Sequence, residues 1–153
     1  MSDLQKFIDQ LNVILSWELA GTIQYLHHKA MVSGADREIF ADFFHEGSEE
    51  GREHAEAVAD KIVVLGGVPT VEPATIRQAS TTQGMLEATL ELEKAALAAY
   101  EVAHPMAIAA NMGTQFWIEE MIAHEQEHVD HVTMLLRKAG ASADASGAET
   151  QAG

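Results

Sequence analysis

The segment from Ile118 to Val132, with the sequence IEEMIAHEQEHVDHV, decides how the rest of the chain is interpreted. Its apolar residues recur every three or four positions, which predicts an amphipathic helix. Glu125 and His128 lie on the apolar stripe where leucines would be expected, and their spacing of three puts them on one helical face. Because burying an unpaired charge is costly, this face either lies outside the core or packs against cations.

Three further segments show the same anomaly on a helical stripe. We predict helices over residues 3–33, over residues 36–65, from residue 82 onward, and over residues 114–138. Glu18, His54 and Glu93 lie near the middle of the first three of these helices, on the faces that should be buried. Pro105 is predicted to bend or interrupt the end of the third helix, and residues 111–113 are predicted to form a short turn.

The loop between the second and third helices is long enough to set the topology. Residues 66–81 begin with two glycines and contain two prolines. About 15 extended residues reach about 50 Å, and a helix of about 30 residues is about 45 Å long. The loop can therefore run the height of a bundle. We predict an all-α, up-down four-helix bundle with one long crossover between helices 2 and 3.

The bundle is expected to occupy residues 1–138 as one domain. The remaining residues, 139–153, are rich in Gly, Ala and Ser and are expected to be disordered, with no fifth helix. Cysteine is absent from the chain, which excludes disulfides and thiolate metal sites. The net charge of -15 argues against nucleic acid and anionic membranes as partners. With no secretory signal and no membrane-spanning run, we expect a cytoplasmic protein.

The five polar stripe residues form a constellation that indicates a metal site. They lie at matching depth on four helices, and three carboxylates around one point would repel each other strongly. Multivalent cations remove that repulsion. Carboxylate and imidazole donors without sulfur suit iron, manganese or zinc at a two-metal site. The residues are Glu18, His54, Glu93, Glu125 and His128.

Around these residues the chain resembles the bacterioferritin branch of the ferritin-like superfamily, over roughly residues 4–138. The matching segments are WELAGTIQYLHH around Glu18, REHAE around His54, LELEKAAL around Glu93, EEMIAHEQEHVD around Glu125 and His128, and LGGVPT at the start of the crossover. The resemblance implies a ferroxidase with two iron ions in each subunit. Such a protein oxidises Fe(II) with O2 or H2O2 and deposits ferric iron inside a hollow homo-oligomer.

The resemblance also implies a role for each residue. Glu18 and His54 would be terminal ligands of one iron, Glu93 and His128 terminal ligands of the other, and Glu125 would bridge the two. Tyr25 matches an accessory tyrosine that lies near the iron site in the family.

Three departures from the family pattern modify these expectations. Gly51 stands where a second bridging carboxylate is expected, three residues before His54. We predict that Glu50 replaces it; the alternative is that Glu50 lines an entry route with Glu46 and the site is asymmetric or impaired. Arg52 stands at the position of the haem-ligating methionine, and a guanidinium cannot ligate haem iron, so no haem is predicted.

The third departure is the missing fifth helix, which favours the twelve-subunit cage of mini-ferritins over the twenty-four-subunit cage, or a simple dimer. The acidic composition predicts no DNA binding. Two other functions remain open: a peroxidase or catalase with two metals on the same fold, and a helical binding or structural protein with an impaired metal site. Five histidines are expected to be exposed, intersubunit or channel residues, and His104 a core residue with a partner. The five are His27, His28, His45, His124 and His131.

Overall fold

The computed structural model describes residues 1–137 and contains four helices. Helix α1 spans Asp3–Met31, α2 spans Arg37–Val64, α3 spans Thr82–Ala110 and α4 spans Met112–Leu136. The predicted all-α bundle with one long crossover is therefore confirmed. The predicted end of the fourth helix at residue 138 and the predicted disordered tail over residues 139–153 lie outside the described residues.

Local capping chemistry explains where the helices begin. The side chain of Ser2 accepts a hydrogen bond from the Gln5 amide at 3.1 Å, and that of Thr81 accepts one from the Gly84 amide at 3.0 Å. Asn111 is at once the C-cap of α3 and the N-cap of α4, and its side chain accepts from the Thr114 amide at 2.8 Å. Each cap satisfies an amide that has no partner within its helix.

The crossover, residues 65–81, runs along α1 and is tied to it by polar contacts. The side chain of Asn12 donates to the carbonyl of Val68 at 3.1 Å and accepts from the amide of Thr70 at 2.7 Å. Further along, the carbonyl of Ser16 accepts from the amide of Ala74 at 2.8 Å. Near the end of α1, Gln24 accepts from the amide of Arg77 at 2.9 Å. The chain thus crosses the bundle, so that α2 and α3 are parallel.

The apolar core consists of two clusters separated along the bundle by a polar layer. One cluster lies towards the start of α1 and contains Phe7, Leu11 and Ile14, among others. The second lies towards the other end and contains Val32, Phe44 and Met85, among others. Between them Glu18, Glu93 and Glu125 are buried, with 5%, 5% and 1% exposure respectively. A layer of buried acid inside a close-packed core requires compensation by other groups.

Two details of the sequence analysis were wrong. The expected interruption of α3 at Pro105 was wrong, because the helix continues beyond it to Ala110, whereas the alternative expectation of a bend there stays a prediction. The expected turn over residues 111–113 is reduced to Asn111, whose extended backbone separates the two helices, and α4 begins at Met112. A single extended residue with a capping side chain is sufficient to reverse the chain. Within the described residues, no helix combines the length and apolarity that crossing a membrane requires.

Candidate metal centre

The structure brings the five predicted residues together in the polar layer. Two groups of three side chains have ligand atoms within 4.8 Å of one another. One group consists of Glu18, His54 and Glu125, and the other of Glu93, Glu125 and His128. Glu125 belongs to both groups. The arrangement is therefore that of two adjacent candidate cation sites that share one carboxylate.

The first group is formed by α1, α2 and α4. The Nδ1 atom of His54 lies 3.1 Å from Oε1 of Glu125 and 3.4 Å from Oε1 of Glu18. The side chain of His54 is 13% exposed, whereas those of Glu18 and Glu125 are 6% and 2% exposed. Two carboxylates and one imidazole thus converge in a nearly closed space.

The second group is formed by α3 and α4. The Nδ1 atom of His128 lies 3.3 Å from Oε2 of Glu93 and 3.7 Å from Oε2 of Glu125. The side chain of His128 is 25% exposed. Glu125 thus presents Oε1 to His54 and Oε2 to His128, which is the geometry that a bridging carboxylate needs.

The pKa values of the three carboxyl groups in the centre depart strongly from their ordinary value. Burial raises the pKa of Glu18 to about 7, and it raises the pKa of Glu93 to about 7 as well. Burial alone would also raise the pKa of Glu125, but hydrogen bonds from His128 and His54 hold it well below its usual range. The shared carboxylate is therefore the one that stays ionised.

The pKa values of the two imidazoles are shifted in the opposite direction from those of most buried histidines. Burial would lower the pKa of His54, but hydrogen bonds to Glu125 and Glu18 raise it to about 10. Burial would likewise lower the pKa of His128, but hydrogen bonds to Glu125 and Glu93 raise it to about 11. Protons on the imidazoles therefore compensate the carboxylates when no cation is bound. A cation would take over that role and release the protons.

Two tyrosines donate hydrogen bonds to the terminal carboxylates. The hydroxyl of Tyr25 donates to Oε1 of Glu93, and the hydroxyl of Tyr100 donates to Oε1 of Glu18 at 2.7 Å. The sequence analysis identified Tyr25 but not Tyr100. A signal for it exists, because Glu93 and Tyr100 have the same spacing of seven as Glu18 and Tyr25.

Glu50 contacts the centre from an unexpected side. Its Oε2 lies 2.5 Å from Nε2 of His128, the ring nitrogen that faces away from Glu93 and Glu125. It belongs to neither group of converging ligand atoms. The prediction that Glu50 replaces the bridging carboxylate stays a prediction, and the contact seen here is with the outer edge of a ligand candidate.

Gly51 lies in a tight contact between α1 and α2. A Cβ atom added at Gly51 would lie 3.0 Å from the hydroxyl oxygen of Thr22 and 3.5 Å from the carbonyl oxygen of Glu18. One turn earlier, a Cβ added at Gly47 would overlap the ring of Tyr25. Glycine at these two positions lets α2 approach α1 closely, which gives a packing reason for the lack of a side chain at position 51.

An open cavity of about 420 Å³ leads to the centre between α2 and α4. Its lining includes His54 and His128 from the centre together with polar residues nearer the surface. Those polar residues are Glu46, Glu50, Glu53, His124, Glu127 and His131. The cavity therefore offers cations an acidic approach, and His124 and His131 line it.

The other histidines differ from one another. His45 is exposed, as expected, and His104 has a partner, since its Nε2 lies 2.9 Å from Oε1 of Glu119, although its side chain is 34% exposed rather than in the core. The expectation for His28 was wrong. It is fully buried within the subunit, where its ring packs against Phe44 with centroids 5.3 Å apart.

Arg52 points away from the centre. Its guanidinium lies 3.1 Å from Glu56 and 3.9 Å from Glu49 on the exposed side of α2, and its side chain is 55% exposed. The prediction that no haem is ligated from this position stays a prediction.

The sequence matches the model of the ferritin-like domain over residues 8–141. The chain belongs to the ferritin-like domain family. This agrees with the fold and with the paired ligand groups in the polar layer of the bundle.

Several named proteins are similar to this chain. A bacterial ferritin of Pseudomonas aeruginosa is 36% identical over 87 residues, which cover 57% of this chain and 56% of that protein. The match thus spans little more than half of the relative. A bacterioferritin of Mycobacterium leprae is 27% identical over 132 residues, which cover 85% of this chain and 83% of that protein.

Solved structures extend the similarity to nearly the whole bundle. A protein of Bacillus anthracis described as ferritin like and diiron-carboxylate is 34% identical, with a TM-score of 0.86, covering 90% of this chain and 100% of that one. The dodecameric thioferritin of Bacteroides fragilis is 27% identical, with a TM-score of 0.79, covering 87% of this chain and 85% of that one. A Dps protein of Bacillus brevis shares the fold, with a TM-score of 0.81 at 18% identity, covering 90% of this chain and 99% of that one.

Proposed function

We propose that this protein is a ferroxidase that binds two Fe(II) ions in each subunit, oxidises them with O2 or H2O2, and stores the ferric product inside a homo-oligomer. The observation that carries the proposal is the position of Glu125, which presents one oxygen to each of two ligand groups. Names of relatives that include bacterial ferritin and bacterioferritin support iron as the substrate.

The donor set fits ferrous and ferric iron. Three carboxylates and two imidazoles supply hard and intermediate donors, and cysteine is absent from the chain. Two divalent ions would also relieve the repulsion between three buried acids, of which two have raised pKa values. When bound, each ferrous ion supplies one electron to the oxidant.

The chain's own residues organise the substrate ions. Glu18 and His54 would hold one ion and Glu93 and His128 the other, and Glu125, which belongs to both groups, would be shared by the two ions. We include Glu50 in this proposal as the carboxylate nearest to the missing bridge. In the present geometry its contact with Nε2 of His128 would orient the ring and leave Nδ1 facing the centre.

Iron uptake by the purified protein tests the proposal. Anaerobic titration with Fe(II) should saturate at two ions per subunit, and exposure to air should yield ferric iron that stays with the protein through gel filtration. Glu125→Gln removes the shared charge and should lower the initial oxidation rate about a hundredfold or more. Glu120→Gln changes an exposed acid on the same helix and should oxidise iron at the parent rate.

The other outcomes would replace the proposal with one of its alternatives. Disproportionation or reduction of peroxide without retention of ferric iron would indicate a two-metal peroxidase or catalase. Binding of neither iron, manganese nor zinc would indicate a helical binding or structural protein with an impaired site.

We further propose a closed cage built from dimers, with twelve subunits favoured over twenty-four. The similarity to the dodecameric thioferritin supports the smaller number. Light scattering coupled to gel filtration gives the mass directly. A relative in Nostoc is named a nutrient stress-induced DNA-binding protein, 25% identical over 142 residues, but a net charge of -15 predicts that this chain does not retard DNA in a gel.

A further inference from the structure

The two tyrosines of the chain are arranged symmetrically about the centre. Tyr25 follows Glu18 by seven residues on α1, and Tyr100 follows Glu93 by seven residues on α3. Seven residues are close to two helical turns, so each pair lies on one face of its helix. Each hydroxyl donates to the glutamate of the other helix: Tyr25 to Glu93, and Tyr100 to Glu18. The hydrogen bonds therefore cross between α1 and α3.

Both hydroxyls are committed to this one interaction. Tyr100 is 0% exposed and Tyr25 is 5% exposed. In so buried a place a hydroxyl without a partner would cost about 1–3 kcal/mol, so each phenol is held on its carboxylate. The carboxylate is held in return, because rotation away from the tyrosine would leave that hydroxyl unpaired.

The surroundings of the two tyrosines differ. Tyr100 belongs to the apolar cluster at the start of α1 and is sealed from the open cavity. Tyr25 lines that cavity, and its ring fills the space above Gly47. The hydrogen bond to Glu18 is thus formed in the dry core, whereas the hydrogen bond to Glu93 is formed beside the entrance.

We infer that Tyr100 is a positioning residue for the Glu18 half of the centre, as Tyr25 is for the Glu93 half, so that each hydroxyl sets the cation affinity of one half only. The inference rests on the proposed two-metal function and assigns a separate element of control to each ion. Loss of a hydrogen bond that orients a ligand lowers affinity about ten- to a hundredfold.

Anaerobic titration with Co(II), followed by its visible absorption, tests this assignment without turnover. In a His128→Ala background, which disables the Glu93 half, Tyr100→Phe should weaken the remaining site at least about tenfold, and Tyr25→Phe should leave it unchanged. In a His54→Ala background, Tyr25→Phe should weaken the remaining site and Tyr100→Phe should leave it unchanged. Equal losses in both backgrounds, or no loss, would overturn the inference and show a purely structural hydroxyl.

A second measurement keeps both tyrosines in the protein that is titrated and uses a tyrosine variant only for assignment. The chain has two tyrosines, so fluorotyrosine incorporation gives two fluorine resonances, assigned with Tyr25→Phe. Adding Zn(II) to the His128→Ala protein should shift the Tyr100 resonance and leave that of Tyr25 in place, while a shift of Tyr25 alone would contradict the inference. If the parent protein bound fewer than two Co(II) ions per subunit, that result would contradict the proposed two-metal function itself, and it is distinct from a failure of the inference about the tyrosines.

Discussion

The two helical hairpins of the bundle differ in the small residues that they place between their helices. In the α3–α4 hairpin the small buried residues of α3 are alanines, among them Ala99, Ala103 and Ala107, which share one apolar cluster with Ile118 and Met121 of α4. In the α1–α2 hairpin the close positions are Gly47 and Gly51 on α2. Alanine on α3 leaves the Glu-x-x-His pattern of α4 intact, whereas glycine at position 51 removes its counterpart on α2.

The difference shows how packing and chemistry compete for one position. Position 51 is the mirror of Glu125, but it faces the backbone of α1 at a distance that a side chain would crowd. In the proposed centre the bridging role therefore falls on Glu125, and a neighbouring acid, Glu50, contacts His128 from outside. The α1–α2 hairpin holds a second irregularity in His28, whose ring nitrogens have no hydrogen-bond partner within the described residues.

The largest effect is expected in the loss of folding stability at acidic pH, which we assign to His28. Burial lowers the pKa of His28 from 6.5 to about 4, with a smaller contribution from His27. Between pH 6.5 and about pH 4, His28 is protonated in the unfolded chain but neutral in the native protein. Its contribution to stability is therefore fully present above pH 6.5 and is lost as the pH drops towards 4. The loss is about 3 kcal/mol, and His28→Leu should remove most of it.

Urea unfolding at about pH 7.5 and about pH 4.5 measures this difference. The parent should lose more stability between the two conditions than His28→Leu, while changes in the metal centre are common to both proteins. His45→Gln removes an exposed histidine and should behave as the parent does. A parent and a His28→Leu variant with the same pH dependence would refute the assignment.

A smaller effect is expected from the glycines of α2. In Gly47→Ala the new methyl group overlaps the buried ring of Tyr25, which is held by its hydrogen bond to Glu93. Overpacking of this kind costs about 1–3 kcal/mol, offset by about 1 kcal/mol of helix propensity. We expect a net loss of up to about 2 kcal/mol in the free energy of unfolding.

Gly51→Ala is the matched comparison on the same helix. Its methyl group would lie 3.0 Å from the Thr22 hydroxyl oxygen and 3.3 Å from the Thr22 amide nitrogen, so the neighbouring atoms must move by a few tenths of an ångström. A gain of about 1 kcal/mol in helix propensity offsets that cost, so a change near zero is expected. Thermal unfolding of the metal-free proteins gives both values. If Gly51→Ala proved the more damaging, the close contact between the hairpin helices would lie nearer position 51 than the structure places it.

A change in reaction rate, not in stability, is expected from Glu50, and it separates a direct role at the centre from the lining of an entry route. Glu50→Ala should lower the initial rate of iron oxidation about tenfold, because His128 loses the carboxylate that orients its ring. Glu46→Ala, one turn away in the same cavity, is the control and should change the rate less. Unchanged oxidation and metal content in Glu50→Ala would exclude both a bridging and an orienting role.

Much of the fold and of the candidate centre could be predicted from the sequence. The helices are long and periodic, so their number and approximate bounds follow from local pattern, and Glu18, His54, Glu93, Glu125 and His128 are visible as polar interruptions of apolar stripes. The helix ends were less exact, because Pro105 is accommodated inside α3 and Asn111 alone forms the turn. Local pattern cannot weigh a proline or a cap against the packing of the whole helix.

By itself, the sequence determined which charged and polar side chains would lie on buried faces. The face of a helix on which a residue lies depends only on its spacing along one chain segment. Tertiary structure decided which atoms meet across helices. It placed Glu50 on the far nitrogen of His128, Tyr100 on Glu18, and His28 inside the subunit. Those outcomes depend on the axial register and separation of different helices, which the close contacts at Gly47 and Gly51 help to fix. No spacing within a single helix encodes that distance.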